Sequence, residues 1–281
     1  MELNEADKRQ LKKQISKRCN EFGKYLYHYT SLPAFINMIK THEIWLSNSG
    51  GMNDVKETRF FVECIEEQLK DYGRSNFFKC IYEDIENNYQ YVLSLSTERD
   101  DAAQWERYAD AAQGVCIVFD VEELVKCLYG YSNFMFNRVY YNDDVTNSLY
   151  YKIIKEYFET GRISTYSSEK ALIASLLDAA NLQKHPSFKH ECEIRITTKE
   201  KSGQNGISVD IKELGGVVKK VVVLKLDMMG AKLGSSFEKT INSVILGPKT
   251  RQNILVLKEY LSSNNIKGLL DAVFQSNCPL R

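Results

Sequence analysis

Residues 191–196 read ECEIRI, a stretch that alternates charged and apolar side chains. As a strand it places Glu191, Glu193 and Arg195 on one face and Cys192, Ile194 and Ile196 on the other. An apolar stripe of this kind needs a core behind it, so the stretch predicts a sheet with one buried and one polar face. Two further stretches repeat the pattern. In YLYHYT (25–30), His28 shares a face with Leu26 and Thr30, opposite Tyr25, Tyr27 and Tyr29. In YVLSLS (91–96), Ser94 and Ser96 lie opposite Leu93 and Leu95. Taken singly, each polar stripe reads as a solvated or structural face; together they are candidates to line one cleft.

Further strands are expected at IWLSN (44–48), GVCIVFD (114–120), FMFNRVYY (134–141) and SVILGP (243–248), with LLDAVFQ (269–275) closing the sheet. ISVDIKEL and VKKVVVLKL flank Gly215-Gly216 and read as a hairpin. Between them the 3.6-residue period predicts helices over 5–20, 54–71, 75–88, 121–129, 143–160 and 166–182. Ser31 with Pro33 opens another before AFINMIK, and DDAAQWERYADAA and RQNILVLKEYL add two more. The expectation is one α+β domain over 25–281, a mixed, mostly antiparallel sheet with helices inserted between its strands. Residues 1–24 form a helical extension. Its Lys8, Arg9, Lys12, Lys13, Lys17 and Arg18 read as a solvated basic face.

Lysine plus arginine and aspartate plus glutamate number 37 each in 281 residues, so no broad electrostatic footprint for nucleic acid is indicated. The seven cysteines include no C-x-x-C pair and read as reduced, core-type thiols of a cytoplasmic protein. The charged N-terminal stretch predicts no secretory signal, and no run approaches the roughly 18 apolar residues of a membrane span. There is no G-x-x-x-x-G-K-[ST], G-x-G-x-x-G or G-x-S-x-G motif. His28, His42, His185 and His190 form no H-E-x-x-H or Cys/His cluster, so no metal site is expected. In QWERYAD, Trp105 and Tyr108 share a helix face. They either anchor the helix to the sheet or form an aromatic wall for a flat ring. Met52-Asn53-Asp54 is a polar loop that either closes a pocket or turns the chain.

In order along the chain, YHYTS, IWLSN, MND with nearby Glu57, LSLST, WERYAD, GVCIVFD, VYY, ECEIR and VILGP resemble the motif series of a bacterial domain-of-unknown-function family. That likeness runs from Tyr25 to Gly247 and implies no activity. More distantly, the chain resembles the ADP-ribosyltransferase superfamily, with a His on the first core strand (His28), a Ser-Thr-Ser-like strand (Ser94-Leu95-Ser96-Thr97) and a Glu-x-Glu strand (Glu191-Cys192-Glu193). SLST departs from STS, and Arg195 has no place in that pattern. The resemblance implies a split sheet and NAD as substrate, without a metal. It implies that Glu193 stabilises an oxocarbenium-like ribose and that Glu191 orients or deprotonates an acceptor. His28 would fix the ribose of the adenosine half, Ser94 or Ser96 would support Glu193 or the ribose, and Tyr29 or Trp105 would stack on the nicotinamide. Tyr108 and Arg195 complete the candidate ligand-binding set.

Three functions stay open on the sequence. The first is an NAD-consuming transferase or glycohydrolase, in a toxin or phage-defence setting, acting on an acceptor macromolecule. The second is a non-catalytic binding module for a nucleotide, nucleic acid or protein. The third and lowest-ranked is a nuclease using acidic pairs such as Asp143-Asp144.

Overall fold

A computed structural model of the chain describes residues 4–48, 55–87, 90–129, 131, 134–199, 206–214 and 216–280. The 52–54 loop and Gly215 lie outside the described residues, as does the side chain of Glu57. The strands are β1 (Tyr25–Thr30), β2 (Glu43–Asn48), β3 (Gln90–Ser96), β4 (Val115–Asp120), β5 (Met135–Arg138) and β6 (Tyr140–Tyr141). They continue as β7 (Gln183–Lys184), β8 (Glu193–Lys199), β9 (Ile207–Leu214), β10 (Val217–Lys225), β11 (Ile241–Leu246) and β12 (Val273–Gln275). Ten of them build one sheet in the order β12-β11-β4-β1-β3-β2-β10-β9, with β8 and then β5 attached to β3. All its pairs are antiparallel except β11 with β12. The fold is therefore α+β with a mixed, mostly antiparallel sheet, and β9 with β10 forms the expected hairpin. β6 and β7 make a separate parallel ribbon.

β3 has three partners, and that decides the shape of the sheet. One of its edges is paired along its whole length by β8, from Gln90↔Lys199 to Ser96↔Glu193. The other edge is shared: β2 takes Tyr91 and Val92, while β1 takes only Ser96. Between those contacts β1 and β2 diverge, and the sheet divides at Ser94.

The pairing registers also fix the faces, because directly paired residues project to the same side. Leu26 and His28 pair with Phe119 and Ile117, on the side of the main core formed with Leu93, Leu95, Ile194 and Ile196. This core is covered by helices that include Glu5–Phe22, Leu32–Thr41, Val121–Leu128 and Ile254–Ser263. Asn4, Ser31, Asp120 and Asn253 cap these four through their side-chain oxygens. The other face carries Tyr27 opposite Val118 and Tyr29 opposite Cys116. Near β1 and β4 it is closed by Trp105, Ala109 and Ala112, from the helix Ala102–Tyr108 and the turn after it.

Four helices (Val55–Leu69, Ser75–Asn87, Leu149–Thr160 and Glu169–Ala180) bury Phe61, Ile65, Phe78, Ile81, Ile154, Leu172 and Leu176 against one another in a second core. These are the inserted helices expected between strands. No described helix is long and apolar enough to cross a membrane. Two motif glycines have packing reasons. A Cβ on Gly114 would stand 2.2 Å from the Thr30 carbonyl oxygen, and one on Gly247 2.3 Å from that of Ala112. Both hold the turn that follows the Trp105 helix against the ends of β1 and β11.

Candidate functional site

A cavity of about 420 Å³ opens where the sheet divides. Its walls come from β1, β2, β3, the first turns of the helix Leu32–Thr41, and the segment carrying Lys184, Glu191 and Glu193. His28, Tyr29, Ser94, Ser96, Tyr108, Glu191 and Glu193 all line it, so seven of the nine candidate residues surround one space. They do not arrive there by sharing a face. Tyr27, Ser96 and Glu193 are in register on one side of the sheet, and His28 projects from the other, tilted against Phe119 at 6.4 Å between ring centroids. The division at Ser94 lets the two sides meet.

His28 is half-buried, with Nδ1 3.0 Å from the Ser94 carbonyl oxygen. A carbonyl can only accept, so Nδ1 carries the proton and Nε2 keeps a lone pair. Burial pushes the His28 pKa down, against the opposing effect of this hydrogen bond. The ring is therefore neutral near pH 7.

Glu193, the first residue of β8, is buried and clamped. Arg195, two residues on and on the same face, donates from Nε to Oε1 at 2.7 Å and from Nη2 to Oε2 at 3.1 Å. Lys184 reaches Oε2 at 3.4 Å. Burial alone would push the Glu193 carboxyl up, but the charges of Arg195 and Lys184 outweigh it, helped by hydrogen bonds from Arg195 and the Ser94 hydroxyl. The pKa is held down at about 2. Arg195 spends its remaining reach on the Asn181 carbonyl oxygen, 2.7 Å from Nη1. It restrains Glu193 and is absent from the cavity wall, which corrects its expected place in the ligand-binding set.

Glu191 reaches the cavity by a different route from the one its sequence suggests. Pro186 starts a 3₁₀ turn that runs to Glu191, and Cys192 follows with φ 45°, so the strand begins only at Glu193. The expected strand face of Glu191, Glu193 and Arg195 thus loses its first member. The Glu191 carboxylate accepts from Lys184 at 2.6 Å, Tyr108 at 2.7 Å and Arg107 at 3.1 Å. Its backbone oxygen accepts from the Ser96 hydroxyl at 2.7 Å and the Gln104 amide at 3.1 Å. Ser96 is accordingly committed to positioning Glu191, while Tyr108, 45% exposed, stands between Glu191 and solvent.

Neither expected stacking ring is available. Trp105 is fully buried, donates to Asp100 Oδ1 at 2.7 Å and does not line the cavity. The anchoring alternative for Trp105 is the one the geometry fits. Tyr29 is buried edge-on against Trp105, 5.0 Å between centroids, and its hydroxyl is taken by the Glu98 carbonyl and the Asp101 amide. The half-buried rings at the cavity are instead Tyr27 and Trp45. Alternation in EIWLSN places Trp45 and Ser47 opposite Ile44 and Leu46, a signal present in the sequence. Lys184 had no such signal, since its position depends on pairing of Lys184 with Tyr141 across the β6-β7 ribbon. Asp144 caps a surface turn through Thr146, away from the cavity. Among the described residues no group of three His, Cys, Asp or Glu side chains is placed to hold a metal ion.

Fold and site together define an α+β protein with a cavity lined by charged residues at the division of its sheet. Residues 104–196, roughly a third of the chain, match the model of a protein family of unknown function, DUF2971. The match supports a domain-of-unknown-function family over the segment that carries Tyr108, Lys184, Glu191, Glu193 and Arg195. The motifs before Gln104 and after Ile196, His28 among them, lie outside it. Comparison with curated proteins and with solved structures finds no match.

Proposed function

We propose that the cavity binds an NAD-like dinucleotide and that the chain cleaves its nicotinamide–ribose bond, by transfer or hydrolysis. The observation that carries this reading is the convergence of His28, Ser94 and Glu193 on one cavity at the point where the sheet divides. A second observation supports it. Lys184, Glu191, Glu193 and Arg195 are each at most 5% exposed. Burying such ions costs several kcal/mol apiece before pairing, and well-packed apolar residues often serve stability as well or better. A cluster of this kind inside a cavity is better explained by a function than by stability.

In the proposed reaction the C–N bond breaks and its electron pair leaves with nicotinamide. Glu193, ionised at neutral pH, faces the positive charge that develops on the ribose. His28 Nε2 accepts from a ribose hydroxyl. Water or an acceptor hydroxyl then attacks the anomeric carbon from the Tyr108 side and gives up its proton to solvent or to the Glu191 carboxylate.

Binding without turnover is the second reading, and one observation favours it. All four carboxylate oxygens of Glu191 and Glu193 already receive protein donors. Incubation of the purified protein with NAD, with release of nicotinamide as the readout, separates the two. Turnover that is lost in Glu193→Gln while the variant stays folded supports cleavage. NAD binding with no nicotinamide released supports the binding module.

A further inference from the structure

We infer that the cavity takes the phosphate of its ligand at Lys219, on the β10 side of the division, and so selects anionic nucleotides over the matching neutral nucleosides. The inference rests on the reading of the cavity as a nucleotide site and adds which end of the ligand lies where. Lys219 lines the cavity and is half-buried, yet among the described residues it has no hydrogen-bond or ion-pair partner. Its neighbours on the sheet are accounted for. Lys212, its partner across β9, is paired with Asp210 at 2.6 Å and lies over the Trp45 ring at 5.3 Å. The register Val221↔Ser47 and Ser47↔Val92 places Lys219, Ser47 and Ser94 on one face, the face of Glu193.

The buried carboxylates do not compensate Lys219. Every oxygen of Glu191 and Glu193 is engaged by Lys184, Arg195, Arg107 or Tyr108. Among the described residues that line the cavity, the cation without a partner is Lys219. An ammonium with three rotatable donors on a flexible stem is suited to a phosphate oxygen. It stands on β10, across the division from the His28 strand β1, so a ligand with phosphate there directs its ribose toward His28 and Glu193.

Isothermal titration with ADP and with adenosine, on the full chain, tests this. The expected result is ADP binding about tenfold or more tighter than adenosine, weakened as salt rises. Lys219→Gln should bring ADP down to the adenosine level and leave adenosine unchanged, while Lys219→Arg keeps the preference. Equal binding of ADP and adenosine to the wild type, or a Lys219→Gln protein that still prefers ADP, would overturn the phosphate position alone. Absence of binding by both compounds would overturn it together with the nucleotide reading.

Discussion

Removing the guanidinium of Arg195 would leave the Glu193 carboxylate buried with Lys184 as its one charged partner among the described residues. Breaking a buried pair from one side costs about 3–5 kcal/mol. Arg195→Met should therefore lower the free energy of unfolding by that order in urea titration, and the double variant with Glu193→Gln should recover part of the loss. A cost below about 1 kcal/mol would mean that the clamp is not formed in solution. The same pair sets an acid limit. The Glu193 carboxyl falls from its ordinary 4.5 to about 2 on folding. Below about pH 5 the unfolded chain consequently binds the proton more readily than the folded one. The contribution is complete above that pH, on the order of 3 kcal/mol, and is lost as pH falls toward 2. Stability measured between pH 5 and 2 should decline less steeply in Glu193→Gln than in the wild type, and parallel declines would contradict the assignment.

Among the elements, the turn before β8 and the strand β3 carry most of the site. Cys192 sits at φ 45°, where a side chain is strained and glycine is not. Cys192→Gly should keep or raise the melting temperature, and Cys192→Val should lower stability by about 1–2 kcal/mol. The reverse order would show that the strand runs straight through ECEIRI. The alternation in ECEIRI, YLYHYT and YVLSLS was enough to locate β8, β1 and β3 and to separate the apolar from the polar side in β8 and β3, whereas in β1 the His28 side faces the main core. It could not show that Pro186 and Cys192 remove Glu191 from the strand. Nor could it show that His28 and Glu193 lie on opposite faces, because that depends on Tyr27↔Ser96 and Ser96↔Glu193, pairings between distant parts of the chain. Trp105 and Tyr108 share a helix face in projection, yet one is buried and the other 45% exposed, since only the helix's docking on β1 distinguishes them. At Gly114 and Gly247 the close carbonyls leave no room for a methyl group. Alanine at either position should cost about 1–3 kcal/mol in unfolding experiments through displacement of the Trp105 helix.

In the whole molecule, one sheet divides around a cavity, and a helical lobe with its own core stands beside it. The lobe is joined to the site through Asn181, which accepts from Arg195 with its carbonyl and from Thr58 with its side chain. The helix inserts were legible from their 3.6-residue period, but their assembly into a separate core was not, because Val55–Asn87 and Leu149–Ala180 meet only in the fold. Leu172, fully buried in that lobe, should cost about 2–5 kcal/mol when replaced by alanine. Calorimetry will show whether the lobe and sheet melt together, as the Arg195–Asn181 link predicts, or in two steps. The most direct test of a nucleotide site at the division of the sheet is a crystal structure of the protein with ADP-ribose. The expected result is the ribose in the division of the sheet, within hydrogen-bond distance of His28 Nε2 and beside Glu193. ADP-ribose bound elsewhere, with that cavity empty, would contradict it.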